Sequence, residues 1–306
     1  MTDLADPYTA LDFAQKAPAL LAKSATSSTI PIPFFSVAET PETWLEHEQL
    51  FYTTLRTGDD KSAHLCLERL TQRFGADNER VMAMRGLYQE AVAKDPQDLR
   101  KVLEDYNKIL KENPMNVPIH KRRIALLRSI GRPQEAITPL VEFLEFFPAD
   151  AEGWCELADL YQTQGLSQPA IFCLEEGLLS APNAWNLHAR LGEYEYMAAV
   201  SGAESAEETQ RHLAQAVHRF SRSIELCDDY LRGYYGLKLT TSKMLQTPST
   251  GKANNNSEIG RQTVEKLDKM AAAKLKDIVS KDSPRKMLAQ QQSEVDAARK
   301  LLQGKS

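Results

Sequence analysis

The chain repeats itself at an interval of 34 residues. Ala136 and Ala170, Leu140 and Leu174, and Pro148 and Pro182 are separated by that step, and Gly131 stands five residues before Ala136 as Gly165 stands five before Ala170. A period of this length marks an array of small units, each unable to bury its apolar face alone, that gain a core by stacking on their neighbours. The 306 residues, 42% of them hydrophobic, suffice for two ordinary domains or one array. The periodicity favours the array.

Within one period the residue types explain themselves as helical hairpins. A methyl-sized side chain at Ala136 or Ala170 lets two helix backbones approach to about 8–10 Å where they cross. Gly131 and Gly165 fit the left-handed turn that ends a first helix, and Pro148 and Pro182 stop a second one. The residues Trp154, Leu157, Ala158, Tyr161, Ala170, Leu174, Gly177 and Pro182 stand at the spacings of a tetratricopeptide repeat, W-x2-L-G/A-x2-Y followed by A-x3-F/L and P. The expected fold is therefore all-α, a tetratricopeptide-repeat superhelix (α-solenoid) with flanking helices at both ends.

The same pattern divides the chain. Residues 1–39 read as an amino-terminal helix, from Tyr8 to Lys23, and a Ser, Thr and Pro-rich linker from Ser24 to Pro33, with Phe34 and Phe35 placed to cap the array. Residues 40–245 read as five to six repeats. In the first, Gly58 marks the turn and Ala63 the crossing; in the second, an insertion at Lys94 to Asp98 predicts a longer loop; Ala199 to Gln210 is extra. Residues 246–259 include the polar cluster Thr247 to Ser257, expected to be a disordered insertion that interrupts the array. Residues 260–306 return to helical spacing at Val264, Leu267, Met270, Ala271, Leu275 and Ile278, and Pro284 is placed to open a last helix.

Charge and composition narrow the function classes. Asp3, Asp6 and Asp12 precede the first apolar stretch, the wrong sign for a secretory signal, and no run of about 18 apolar residues could span a bilayer. The expectation is a soluble protein of the cytosol. Arg261 to Ser306 holds 11 Lys and Arg against 6 Asp and Glu, so that segment is +5 and the remainder (37 − 11) − (42 − 6) = −10. Acidic and basic residues alternate there without interleaved aromatics, which speaks against nucleic acid. Cys66, Cys155, Cys173 and Cys227 lack any zinc-like or C-x-x-C spacing and read as packed thiols.

No machinery for catalysis is visible. The six histidines form no H-E-x-x-H, and neither a Gly-rich phosphate loop nor G-x-S-x-G occurs, so no enzyme activity, cofactor or metal is expected. His120 and His188 occupy the repeat position of Trp154 and read as packing residues. Partner contacts are expected on the first helices of the third and fourth repeats, at Lys121, Arg128, Glu152, Asp159 and Gln162, with an acidic peptide suited to the basic pair. The repeat-packing set is Ala63, Ala136, Trp154, Leu157, Ala158, Tyr161, Ala170, Leu174 and Pro182.

The fourth repeat carries identities beyond the generic consensus. The run from Trp154 to Tyr161 (WCELADLY), the run from Ala170 to Glu176 (AIFCLEE), and the segments Lys121 to Ile124, Gly131 to Ile137, Tyr106 to Leu110 and Tyr235 to Leu237 resemble the subunit 2 family of the endoplasmic reticulum membrane protein complex. The resemblance covers about Trp44 to Leu245. It implies a non-catalytic scaffold, peripheral on the cytoplasmic face of the endoplasmic reticulum membrane, that supports insertion of tail-anchored and multispanning proteins. It implies as partners the membrane subunits of the complex through cytosolic segments such as the subunit 5 tail, and a soluble subunit of the 8/9 type. The alternative is a tetratricopeptide cochaperone or adaptor. The Lys and Asn clamp of the heat-shock-binding group is missing, because Ala125 follows Lys121 by four residues, Glu156 stands where Asn is wanted, and the first repeat offers Glu48 and Tyr52.

Overall fold

The computed structural model describes residues 7–25, 40–201, 205–246, 259–281 and 289–304, with backbone alone at 7, 22–25, 281 and 289–291. Every regular element among the described residues is helical, and the fold is an all-α stack of tetratricopeptide-type hairpins. The chain divides into two compact bodies, Met1–Pro139 and Leu140–Ser306.

The N-terminal body contains α1 (Pro7–Gln15), α2 (Ala17–Ala25), α3 (Pro41–Thr57), α4 (Asp60–Phe74), α5 (Glu79–Val92), α6 (Pro96–Glu112), α7 (Val117–Ser129) and a 3-10 turn, Pro133–Ala136. The single helix expected over Tyr8 to Lys23 is thus two. Pro18 has no N–H to give the Ala14 carbonyl and its ring collides with that carbonyl in a continuous helix, so the chain breaks at Lys16 and restarts with Pro18 in the first turn of α2. Ser24 and Ala25 finish α2, while the rest of the linker and both Phe34 and Phe35 lie outside the described residues. Ala17 and Leu21 are buried in one cluster with Leu50, Phe51, Ala63 and Cys66, so the N-terminal helices seal the first repeat.

Each hairpin is defined by its ends. Asp59, Asn78, Asp95 and Asn116 accept backbone N–H groups at the starts of α4, α5, α6 and α7. Gly58 turns α3 into α4 at φ 77°, a left-handed conformation where any Cβ is strained. The longer loop expected at Lys94 to Asp98 is corrected: Asp95 caps α6 and Pro96 enters its first turn, so the added residues lengthen the helix instead. Gly86 faces Tyr106 so closely that a Cβ would fall 2.2 Å from the phenol oxygen. The 3-10 turn at Pro133–Ala136 has a similar local cause, since Pro139 forbids the bond that an α-helix would draw to Glu135.

The C-terminal body begins within α8 (Ile137–Phe146) and continues through α9 (Ala151–Thr163), α10 (Ser167–Ser180), α11 (Trp185–Ser201), α12 (Ala206–Leu226), α13 (Leu231–Gln246), α14 (Arg261–Lys281) and α15 (Ala289–Leu302). The extra residues at Ala199 to Gln210 are spent mostly on α11 and α12, of 17 and 21 residues; 202–204 lie outside the described residues. The polar cluster Thr247 to Ser257 and Pro284 also lie outside them. Beyond the cluster, α14 packs along α13, burying Val264, Ala271 and Leu275, while Met270 points outward. Phe220 on α12 fills the space left by Gly236 on α13, where a Cβ would stand 2.1 Å from a ring carbon.

Candidate protein-binding surfaces

The repeat geometry rests on a contact that recurs at the 34-residue step. His120 Nε2, Trp154 Nε1 and His188 Nε2 donate to the carbonyls of Pro114, Pro148 and Pro182 at 2.9, 2.8 and 3.0 Å. Each ties the first turn of a repeat to the proline that ended the preceding one. Proline suits the place because its carbonyl accepts while its nitrogen demands no partner. His188 is 7% exposed, and its Nδ1 is buried without a hydrogen-bond partner. A second proton would have nowhere to go. Burial accordingly pushes the imidazole below its ordinary pKa, against the Pro182 bond and with help from the nearby Arg219 and Arg222 charges.

Charged side chains join helices within each body. In the N-terminal body Arg80 of α5 reaches Glu48 of α3 at 2.6 Å, and Arg122 of α7 clasps Glu90 of α5, which also accepts the Tyr106 hydroxyl at 2.5 Å. In the C-terminal body Arg190 and Tyr194 of α11 both reach the Asp159 carboxylate at 2.5 Å. Glu195 and His212 form a buried pair between α11 and α12 at 2.5 Å. Burial raises the Glu195 carboxyl above its ordinary range despite the opposing bond from His212.

The expected partner residues fall into two groups. Lys121, half-buried, and Arg128, exposed in the last turn, lie seven residues apart on α7 and so share a face. Glu152, Asp159 and Gln162 follow one face of α9, but they differ in surroundings. Glu152 is exposed in the first turn, Asp159 is held by Arg190 and Tyr194, and Gln162 places its amide nitrogen 3.7 Å from Met197 Sδ. Among the packing residues, Ala63, Ala136, Ala158, Ala170 and Leu174 have no exposure and Leu157 has 3%, whereas Trp154 and Tyr161 are half-buried and Pro182 is exposed. The small residues are therefore fully buried, and the two aromatics line something else.

That something is a cleft of about 470 Å³ between α8, α9 and α10, walled by Val141, Leu144, Trp154, Leu157, Phe172 and Cys173, with Tyr161 at its side and Glu145 at its edge. Phe172 is 55% exposed and meets the Trp154 ring edge-on at 6.3 Å. The sequence carried a signal for this region in the complete lack of Lys and Arg between Arg132 and Arg190, an interval with nine Asp and Glu. Reading residues by repeat position alone passes over it.

The thiols are packing groups: burial raises Cys66 to about 11 and Cys173 to about 12. Among the described residues no group of three His, Cys, Asp or Glu is arranged to hold a metal, and no helix is long and apolar enough to cross a membrane.

Comparison with known proteins gives the following. The profile described as "EMC2 TPR-like repeat domain" matches residues 82–207. "TPR repeat protein oca3" of Schizosaccharomyces pombe is 34% identical over 209 residues, 68% of this chain and 70% of that protein. "ER membrane protein complex subunit 2-A" of Xenopus laevis is 32% identical over 205 residues, 67% of this chain and 64% of the frog protein, so the chain spans just under two thirds of that relative. "ER membrane protein complex subunit 2" of Saccharomyces cerevisiae is 26% identical over 242 residues, 77% of each chain.

Proposed function

Because the chain belongs to the family of endoplasmic reticulum membrane protein complex subunit 2, we propose that it is a non-catalytic scaffold subunit of such a complex. In this reading it lies on the cytoplasmic face of the endoplasmic reticulum membrane, held there through its partners, and supports insertion of tail-anchored and multispanning proteins without inserting anything itself. The partners are cytosolic segments of membrane subunits, such as the subunit 5 tail, and a soluble subunit of the 8/9 type.

The observations that carry the proposal are the match of residues 82–207 to the EMC2 repeat-domain profile and the 32% identity over 205 residues to the frog subunit 2-A, lengths that take in several hairpins rather than a single motif. Physical chemistry supplies the means. Stacked hairpins hold their side chains on rigid helices over a long surface, and a specific interface needs only about 1,200–2,000 Å² in total. Several polypeptides can therefore share one array. Lys121 and Arg128 on α7, with Glu152, Asp159 and Gln162 on α9, are the proposed contact residues. Asp159 would exchange or share its Arg190 partner on binding.

Purification of the tagged chain from its own cells tests the reading. Recovery of membrane subunits in fixed proportion is expected; recovery of heat-shock proteins alone would replace the scaffold by the cochaperone.

A further inference from the structure

We propose that the cleft between α8, α9 and α10 seats the apolar anchor of a basic amphipathic segment from a partner protein. The cleft is already built in the chain as it stands. Its inner wall is closed by Leu144, Leu157 and Cys173, each 3% exposed or less, while Phe172 stands at the mouth with more than half its surface in water. At about 470 Å³ it falls within the roughly 300–1,000 Å³ of clefts that take a bound group. Its apolar walls ask for apolar side chains, and the parallel run of a helix past α8 and α10 would supply them at i, i+3 or i+4.

Charge decides which helix. The interval from Pro133 to Ala189 contributes no cation at all, and within it Asp159 and Glu175 are answered only by Arg190 and Arg219 from outside the interval. Glu145 lines the cleft and forms no ion pair among the described residues. A segment with Glu or Asp beside its anchor would meet like charge there, and one with Lys or Arg would meet complementary charge. The chain's own basic helices are not available as occupants. They lie against α13, where Lys238 of α13 binds Asp268 of α14, Lys274 binds Asp228 and Arg232 binds Glu294 of α15.

This deepens the scaffold reading and rests on it for the source of the segment, since cytosolic stretches beside membrane spans are enriched in Lys and Arg. The physical requirement, an apolar anchor with flanking cations, does not depend on that source.

The test uses the purified full chain and two labelled helical peptides of the same apolar face, one flanked by Lys and Arg and the other by Glu, read by fluorescence anisotropy. The basic peptide should bind at least about tenfold more tightly, with an affinity that falls as salt rises. A benzoylphenylalanine in place of Phe172 should cross-link to it. The Glu145→Arg variant should weaken it about threefold to tenfold, at an unchanged melting temperature. Equal binding of both peptides, binding of neither, cross-linking of position 172 to a second copy of the chain, or an affinity unchanged in Glu145→Arg would each overturn the proposal. Because no other subunit is present, failure here leaves the co-purification result standing, and failure there leaves this one standing.

Discussion

The C-terminal body contains two regions built from the same hairpin, and they finish their surfaces differently. Where α12, α13 and α14 meet, Phe220 is 1% exposed, Leu237, Ala271 and Leu275 have no exposure, and Lys238 and Asp268 neutralise each other at 2.7 Å. Where α8, α9 and α10 meet, Ala170 is likewise without exposure, yet Phe172 remains exposed at an open cleft with an acidic edge, and Phe146 of α8 and Leu179 of α10 are exposed as well. The difference lies outside the hairpin. The first region is closed on its flank by α14 and α15, whereas α11 packs on α10 without covering Phe172 or Leu179. A repeat thus fixes its own crossing but leaves its outer face to whatever is added to it.

Two phenylalanines should break the symmetry most sharply. Phe220→Ala is expected to cost about 3–5 kcal/mol in chemical denaturation, because it empties the space beside Gly236. Phe172→Ala should cost under about 0.5 kcal/mol while weakening the basic peptide, since its ring is already in water. Comparable losses in the two variants would mean that the cleft is part of the core. At the crossing itself, Ala170→Leu should cost about 1–3 kcal/mol by overpacking, read as a lower melting temperature. An unchanged melt would show that α9 and α10 are not held together there.

A smaller effect separates the recurrent proline contact from ordinary burial. The folded-state pKa of His188 lies below its unfolded value, so the unfolded chain takes up a proton near pH 6.5 that the folded chain accepts only at lower pH. Its contribution to stability is complete above about pH 6.5 and falls as the solution is acidified. His188→Gln keeps an N–H for Pro182 but cannot titrate, so its stability curve should be flatter than wild type from pH 6.5 downward. Smallest in stability is Lys121→Glu, expected within about 0.5 kcal/mol of wild type, with loss of partner subunits on purification. Intact assembly with this variant would remove α7 from the binding surface.

The legible parts were those encoded by spacing along one helix or across one turn. Ala136, Ala158, Ala170, Gly58 and Gly131 act within a single hairpin, so a fixed interval reveals them. The break at Lys16 was written in Pro18, and the lengthened α6 in the Asp95-Pro96 pair, but the periodic pattern averaged over both. The charge contacts Arg122 to Glu90 and Arg190 to Asp159 were not legible. Their partners are some 30 residues apart on separate helices, and no local interval links one to the other. The site residues shared this limit: α9 could be assigned a face, but not which members of that face its neighbour α11 would occupy.

By itself the sequence determined that this chain makes helical hairpins and, at Gly58, Gly131 and Gly165, where they turn, because those features are local and repeat with the chain. Only the tertiary structure decided which apolar side chains stay uncovered and which carboxylates are spent on their own neighbours. Those outcomes depend on how successive hairpins lean together, a sum of many small contacts that no single interval in the sequence records.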